Sequence, residues 1–116
     1  MGIARDRGRA AETLAASYFE LIGCEIVGRN VRLEDVEVDL VAREGATQVL
    51  VEVKYRTRSD YGGAALAVDH RKRARLARAA RALQRGRTSP VRVDVLAVEL
   101  SPDGASLRHY RNVVWE

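Results

Sequence analysis

Residues 36–55 read VEVDLVAREGATQVLVEVKY, and the reading of the whole fold turns on them. Two runs, 36–43 and 48–55, alternate apolar with polar residues, which is the period of a strand. Glu44-Gly45-Ala46-Thr47 between them has the length of a hairpin connection, with glycine where a positive φ is needed. A turn symmetric about Gly45-Ala46 sets Asp39 opposite Glu52 and Glu37 opposite Lys54, with all four on one sheet face. Val36, Val38 and Leu40 would then share the other face with Val49, Val51 and Val53. A one-residue slip in register would destroy this arrangement.

Working outward, residues 25–31 read as a short strand. Residues 8–22 read as a helix with Ala11, Leu14, Ala15, Tyr18 and Ile22 at helical spacing and Gly23 placed to end it. On the other side, Arg56 to Gly63 (RTRSDYGG) reads as a loop, and a helix of about twenty residues follows from near Ala64 to Gln84. Residues 91–100 (VRVDVLAVEL) suit a largely buried strand, Ser101 to Gly104 a turn, and 106–114 a final edge strand. The order is αβββαββ: one mixed α/β domain over residues 1–116, with no repeat, linker or low-complexity tract.

A chain of 116 residues, 47% of them hydrophobic, holds one compact core, so wholesale disorder is not expected. The longest unbroken apolar run, Ala64 to Val68, is far too short for a membrane-spanning helix, and no signal-peptide core follows the charged N-terminus. The single cysteine, Cys24, excludes an internal disulfide and a cysteine-rich zinc site. A cytoplasmic location fits this pattern. Nucleotide-binding glycine motifs and a recognisable nucleophile motif are missing, and His70 and His109 lack metal-ligand spacing.

The face shared by Asp39 and Glu52 carries the chemistry. Carboxylates directly across a strand pair repel unless something compensates them. A hard divalent cation such as Mg²⁺, held by both, is one compensation. Lys54 would add an ammonium beside it, able to orient water or neutralise a phosphoryl oxygen. A solvated face on which Lys54 offsets Glu37 is the plainer alternative.

GRAAE at 8–12, RNVR at 29–32, VEVDLVA at 36–42, VEVKYR at 51–56, Lys72 and RVDVLAV at 92–98 extend the pattern along nearly the whole chain. Together they resemble the YraN-type uncharacterised family, a branch of the PD-(D/E)xK nuclease superfamily distantly similar to archaeal Holliday junction resolvases. Ala11 and Val36 depart from it, standing where that family typically has glycine. The resemblance implies a restriction-endonuclease-like mixed sheet flanked by helices, and a Mg²⁺- or Mn²⁺-dependent endonuclease acting on DNA, branched or otherwise structured forms included. It implies Asp39, Glu52 and Lys54 as the catalytic set, with Glu12 on the first helix completing it. The implied metal ligands are Asp39, Glu52, the Val53 carbonyl and Glu12. A homodimer is a further implication. A module that keeps the fold and binds nucleic acid without cutting is the alternative, and a structural partner in a protein complex is a third.

The charge distribution favours a polyanionic partner. Net charge is +4, yet residues 71–87 hold eight basic side chains and no acid, leaving twelve basic against sixteen acidic elsewhere. Arg71, Arg75, Arg78, Arg81 and Arg85 fall within a helical sector of about 120°, a stripe able to follow a phosphate backbone, with a plain solvated helix face as the alternative. Arg56, Arg58 and Tyr61 in the loop are further candidate contacts. Lys72 sits beside the apolar stripe of this helix and either snorkels to water or reaches towards the hairpin.

Overall fold

The computed structural model describes residues 3–57 and 70–113. Its elements run α1 (Ile3–Leu21), β1 (Glu25–Leu33), β2 (Val36–Glu44), β3 (Thr47–Thr57), α2 (His70–Gln84), β4 (Val91–Ser101) and β5 (Gly104–Tyr110). The expected order is thus the observed one. The strands form a single sheet in chain order, β1 to β5. Only β3 and β4 are parallel, as a connection through α2 requires, and the other neighbours are antiparallel. Among the described residues no helix is long and apolar enough to cross a membrane.

Local chemistry accounts for the ends of α1 and of the central hairpin. At the end of α1, Cys24 N–H donates to Phe19 O at 2.9 Å and Gly23 N–H to Glu20 O at 3.0 Å, with Gly23 at φ 100. This is the paired closure that a glycine in the left-handed region permits. The β2–β3 turn places Gly45 at φ 60 and pairs Glu44 with Thr47, Ala42 with Val49 and Leu40 with Val51, the register expected from a symmetric turn.

Adjacent residues of β3 serve two cores. Val49 and Val51 pack with Ala11, Ala15, Ala16 and Phe19 of α1, whereas Leu50 packs with Leu76 and Ala79 of α2. The helices therefore cover opposite faces, and β3 and β4, buried on both, read as the most continuous apolar runs. Cys24 lies in the α1 core, as a small apolar residue would.

The structure corrects several expectations. Val36 and Val38 do not share a face with Leu40: they join the α2 core with Leu76, while Leu40 and Ala42 join the α1 core. The alternation breaks at Asp39, and Asn30 on β1, which falls between the Arg29–Leu40 and Val31–Val38 pairs, has φ 51. Arg56 lies on β3 and not in a loop, because β4 pairs with β3 as far as Arg56–Glu99 and Thr57–Leu100. The last strand ends at Tyr110, and α1 begins earlier than expected, at Ile3. Arg58, Tyr61 and the expected start of the second helix lie outside the described residues.

His109, which offers no metal-ligand spacing in the sequence, belongs to a buried network. Asp94 is 0% exposed and accepts from Arg92 Nε at 2.9 Å, Arg92 Nη2 at 3.2 Å and the Asn112 N–H at 2.8 Å. His109 Nε2 lies 2.7 Å from its second oxygen, and His109 Nδ1 lies 2.9 Å from the Tyr18 hydroxyl. Arg92 also donates to Glu44 at 2.8 Å. The network ties α1, the β2–β3 turn, β4 and β5 together. Burial pushes the Asp94 carboxyl up, but Arg92, the Asn112 N–H and His109 outweigh it and hold the group below its ordinary value.

Candidate functional site

The site lies where β2 and β3 part. Continuing the hairpin register, Val38 would face Val53, but the paired residues stop at Leu40–Val51. The Val53 N–H donates instead to Asp39 Oδ2 at 2.8 Å, so a side chain takes the place of a ladder carbonyl. The strands fork there, and β2 turns Val38 and Val36 towards Leu76 of α2. Asp39 is thereby reached from both faces. Glu12 on α1 and Lys72 on α2 both act on it electrostatically, from opposite faces of the sheet.

Glu52 stands next to Asp39, only 4% exposed. Lys72 Nζ lies 3.1 Å from Glu52 Oε1, with the lysine side chain 29% exposed. This settles the two readings of Lys72: it reaches into the hairpin site. Beyond this ion pair, Glu52 Oε1 is a buried acceptor with no further hydrogen-bond partner among the described residues. Burial first and Asp39 second push the Glu52 carboxyl up to about 7, against the opposing pull of Lys72 and Lys54. Burial also raises Asp39, opposed by the Val53 N–H, by Lys72 and by a hydrogen bond from Glu52. The two carboxyls therefore share a proton into the neutral range, as close acids in a dry setting do.

Lys54 follows Glu52 by two residues on β3 and acts on it electrostatically, but makes no ion pair among the described residues. The expected Glu37–Lys54 partnership is not formed, because the β2–β3 pairing ends before it, and Glu37 is exposed. Glu12 is half-buried, with its carboxyl raised chiefly by burial and then by Asp39, and lowered by the Asn30 side chain. Among the described residues no three His, Cys, Asp or Glu side chains are gathered closely enough to hold a metal, so Glu12 stands beside the acid pair without completing a triad. The acid pair does fit a hard cation in two respects: it concentrates oxygen donors, and one of them is a buried atom without a hydrogen bond.

The basic helix presents Arg71, Arg78, Arg81 and Arg85 to solvent, with Arg75 half-buried. Arg78 is already engaged: its Nη2 donates to Asp35 on the β1–β2 turn at 3.0 Å. Two features escaped the sequence reading. The Asp94–His109–Tyr18 chain joins residues up to 91 positions apart, with no local signal. Asn30 and Arg29, which act on Glu12, lie within the quoted RNVR stretch, so their position was visible but their partner was not.

A family model described as "Uncharacterised protein family UPF0102" matches residues 11–98. Similar proteins, each described as a UPF0102 protein, occur in Halorhodospira halophila (42% identical, covering 82% of this chain and 78% of that one), Methylococcus capsulatus (39%; 92% and 89%) and Geobacter sulfurreducens (43%; 90% and 85%). Among solved structures, Pyrococcus furiosus SfsA in complex with Ca²⁺ aligns at a TM-score of 0.43 and 15% identity. That alignment covers 93% of this chain and 63% of the other, a likeness too loose to bear on function.

Proposed function

The chain belongs to the uncharacterised protein family UPF0102, and from the chemistry of its own site we propose that it is a Mg²⁺- or Mn²⁺-dependent endonuclease that hydrolyses phosphodiester bonds of DNA, branched or structured DNA included. The observation that carries this reading is the Asp39–Glu52 pair at the fork, Glu52 buried and Asp39 half-buried, flanked by two lysines. Two carboxyls held side by side repel once both are ionised, and a bound hard cation would relieve that repulsion.

Asp39 and Glu52 would hold the metal. The Val53 carbonyl would join them, since N–H and C=O of one strand residue point to the same side and the Val53 N–H points at Asp39. Glu12 would approach from α1. The bound cation would supply a polarised phosphoryl oxygen and a more acidic water. Lys54, whose ammonium makes no ion pair among the described residues, would orient that water and neutralise charge on the phosphate. Arg71 and Arg75 on α2, with Arg56 at the end of β3, would bind phosphates to either side without reading sequence.

A second reading, binding without cutting, draws on Lys72, which already neutralises part of the charge on Glu52. The test is incubation of highly purified protein with Mn²⁺ and a panel of linear duplex, single-stranded and four-way-junction DNAs. Cleavage by the parent that falls at least about a hundredfold in Lys54→Ala, with DNA affinity retained, supports the nuclease. DNA binding without cleavage of any substrate or heat of metal binding sinks it and leaves the binding module.

A further inference from the structure

Resting on the reading above, we infer that Lys72 is the built-in counter-cation of the acid pair, and that a divalent ion must displace it from Glu52 before the site can act. Lys72 Nζ lies 3.1 Å from Oε1 of a side chain only 5% exposed, on the oxygen that has no hydrogen bond. A metal bound through the same oxygen would leave two cations in contact, so one of them must move. The lysine is the one able to do so. Its side chain is 29% exposed, and its flexible stem can carry the ammonium outward.

Its place on α2 is held from below. Leu76, one turn further on, and Ala79 are fully buried against Val36, Val38, Val41, Leu50 and Val93. The helix therefore delivers Lys72 over the fork whether or not a metal is present. Arg71 and Arg75 flank it on the same helix. The released ammonium thus joins the cationic edge of α2, on the path proposed for phosphates. Lys72 is a positioning residue on this view: it keeps Asp39 and Glu52 together in the metal-free chain and gives way to the ion.

An ordinary structural ion pair, once broken, weakens both the fold and any site built on it. Here, removing the lysine weakens only the metal-free chain and strengthens the metal site. The experiment is calorimetric Mn²⁺ titration at one fixed, mildly alkaline pH. It uses the parent, Lys72→Met, which keeps the stem without the charge, and Lys72→Arg, which restores charge. Metal-free and Mn²⁺-loaded melts run alongside. Expected are Mn²⁺ binding about tenfold or more tighter in Lys72→Met, near-parental affinity in Lys72→Arg, a lower metal-free melting temperature in Lys72→Met, and a larger Mn²⁺-induced rise. Equal or weaker binding in a folded Lys72→Met overturns the inference and leaves the site reading standing. If neither parent nor variant binds Mn²⁺, the proposed function falls and takes this inference with it. Should Lys72→Met unfold without metal, recovery of the folded signal on adding Mn²⁺ supports displacement, and failure to recover refutes it.

Discussion

Glu52→Gln should make the metal-free protein more stable above neutral pH, not less. The substitution keeps the volume at a buried position and removes the charge, while the new amide can donate to the neighbouring Asp39 carboxylate. Glu52 moves from an ordinary 4.5 to about 7 on folding, through burial first and Asp39 second. At about 1.4 kcal/mol for each tenfold change in proton affinity, that corresponds to roughly 3 kcal/mol. Between these two values the folded chain retains a proton that the unfolded chain has released. Parental stability therefore falls as pH rises through this window and levels off above it. The Gln variant lacks this titration. Its advantage should be under about 1 kcal/mol near pH 5 and grow to about 3 kcal/mol by pH 8, less whatever the lost Lys72 contact contributes; for a domain of this size, the full difference corresponds to about ten degrees or more in melting temperature. Urea unfolding followed by circular dichroism at pH 5, 6, 7 and 8, with chelator present, measures it. Groups common to both proteins largely cancel in the difference. Parallel pH profiles for parent and variant would mean that Glu52 carries no raised proton affinity in the folded chain.

Two further outcomes follow from the geometry. Asp94→Ala, which strips the acceptor from Arg92, His109 and the Asn112 N–H, should destabilise by about 3–5 kcal/mol in denaturant melts. Because the Asp94 carboxyl is held below its ordinary value, the stability it provides is present above about pH 4 and is lost as pH falls through its folded value, a loss the variant should not show. On α2, Arg71→Ala and Arg75→Ala should each lower the slope of log K against log salt for duplex DNA by about 0.9. Arg78→Ala should change it less, because Asp35 already engages that guanidinium; equal effects from all three would show that the pairing yields to DNA.

The order of elements, the register of the central hairpin and the neighbourhood of Asp39 with Glu52 were all legible in the residue pattern. These are local quantities. Alternation of period two and a two-residue turn with glycine at φ 60 fix which residues face one another, whatever packs on them later. The same local logic failed at Val36 and Val38. It extends a strand as an unbroken ladder, whereas β2 leaves β3 after Leu40 to bury two valines under Leu76. Arg56 was lost to a loop for a related reason: its strand continues only because β4, more than forty residues later, supplies the partner. Lys72 shows the limit most clearly. Its place beside an apolar stripe was plain, but helical periodicity gives a direction around one axis and not what lies opposite. Only the docking of α2 across the sheet, fixed by Leu76 and Ala79 in the core, put its ammonium on Glu52 and decided which charge meets the acid pair.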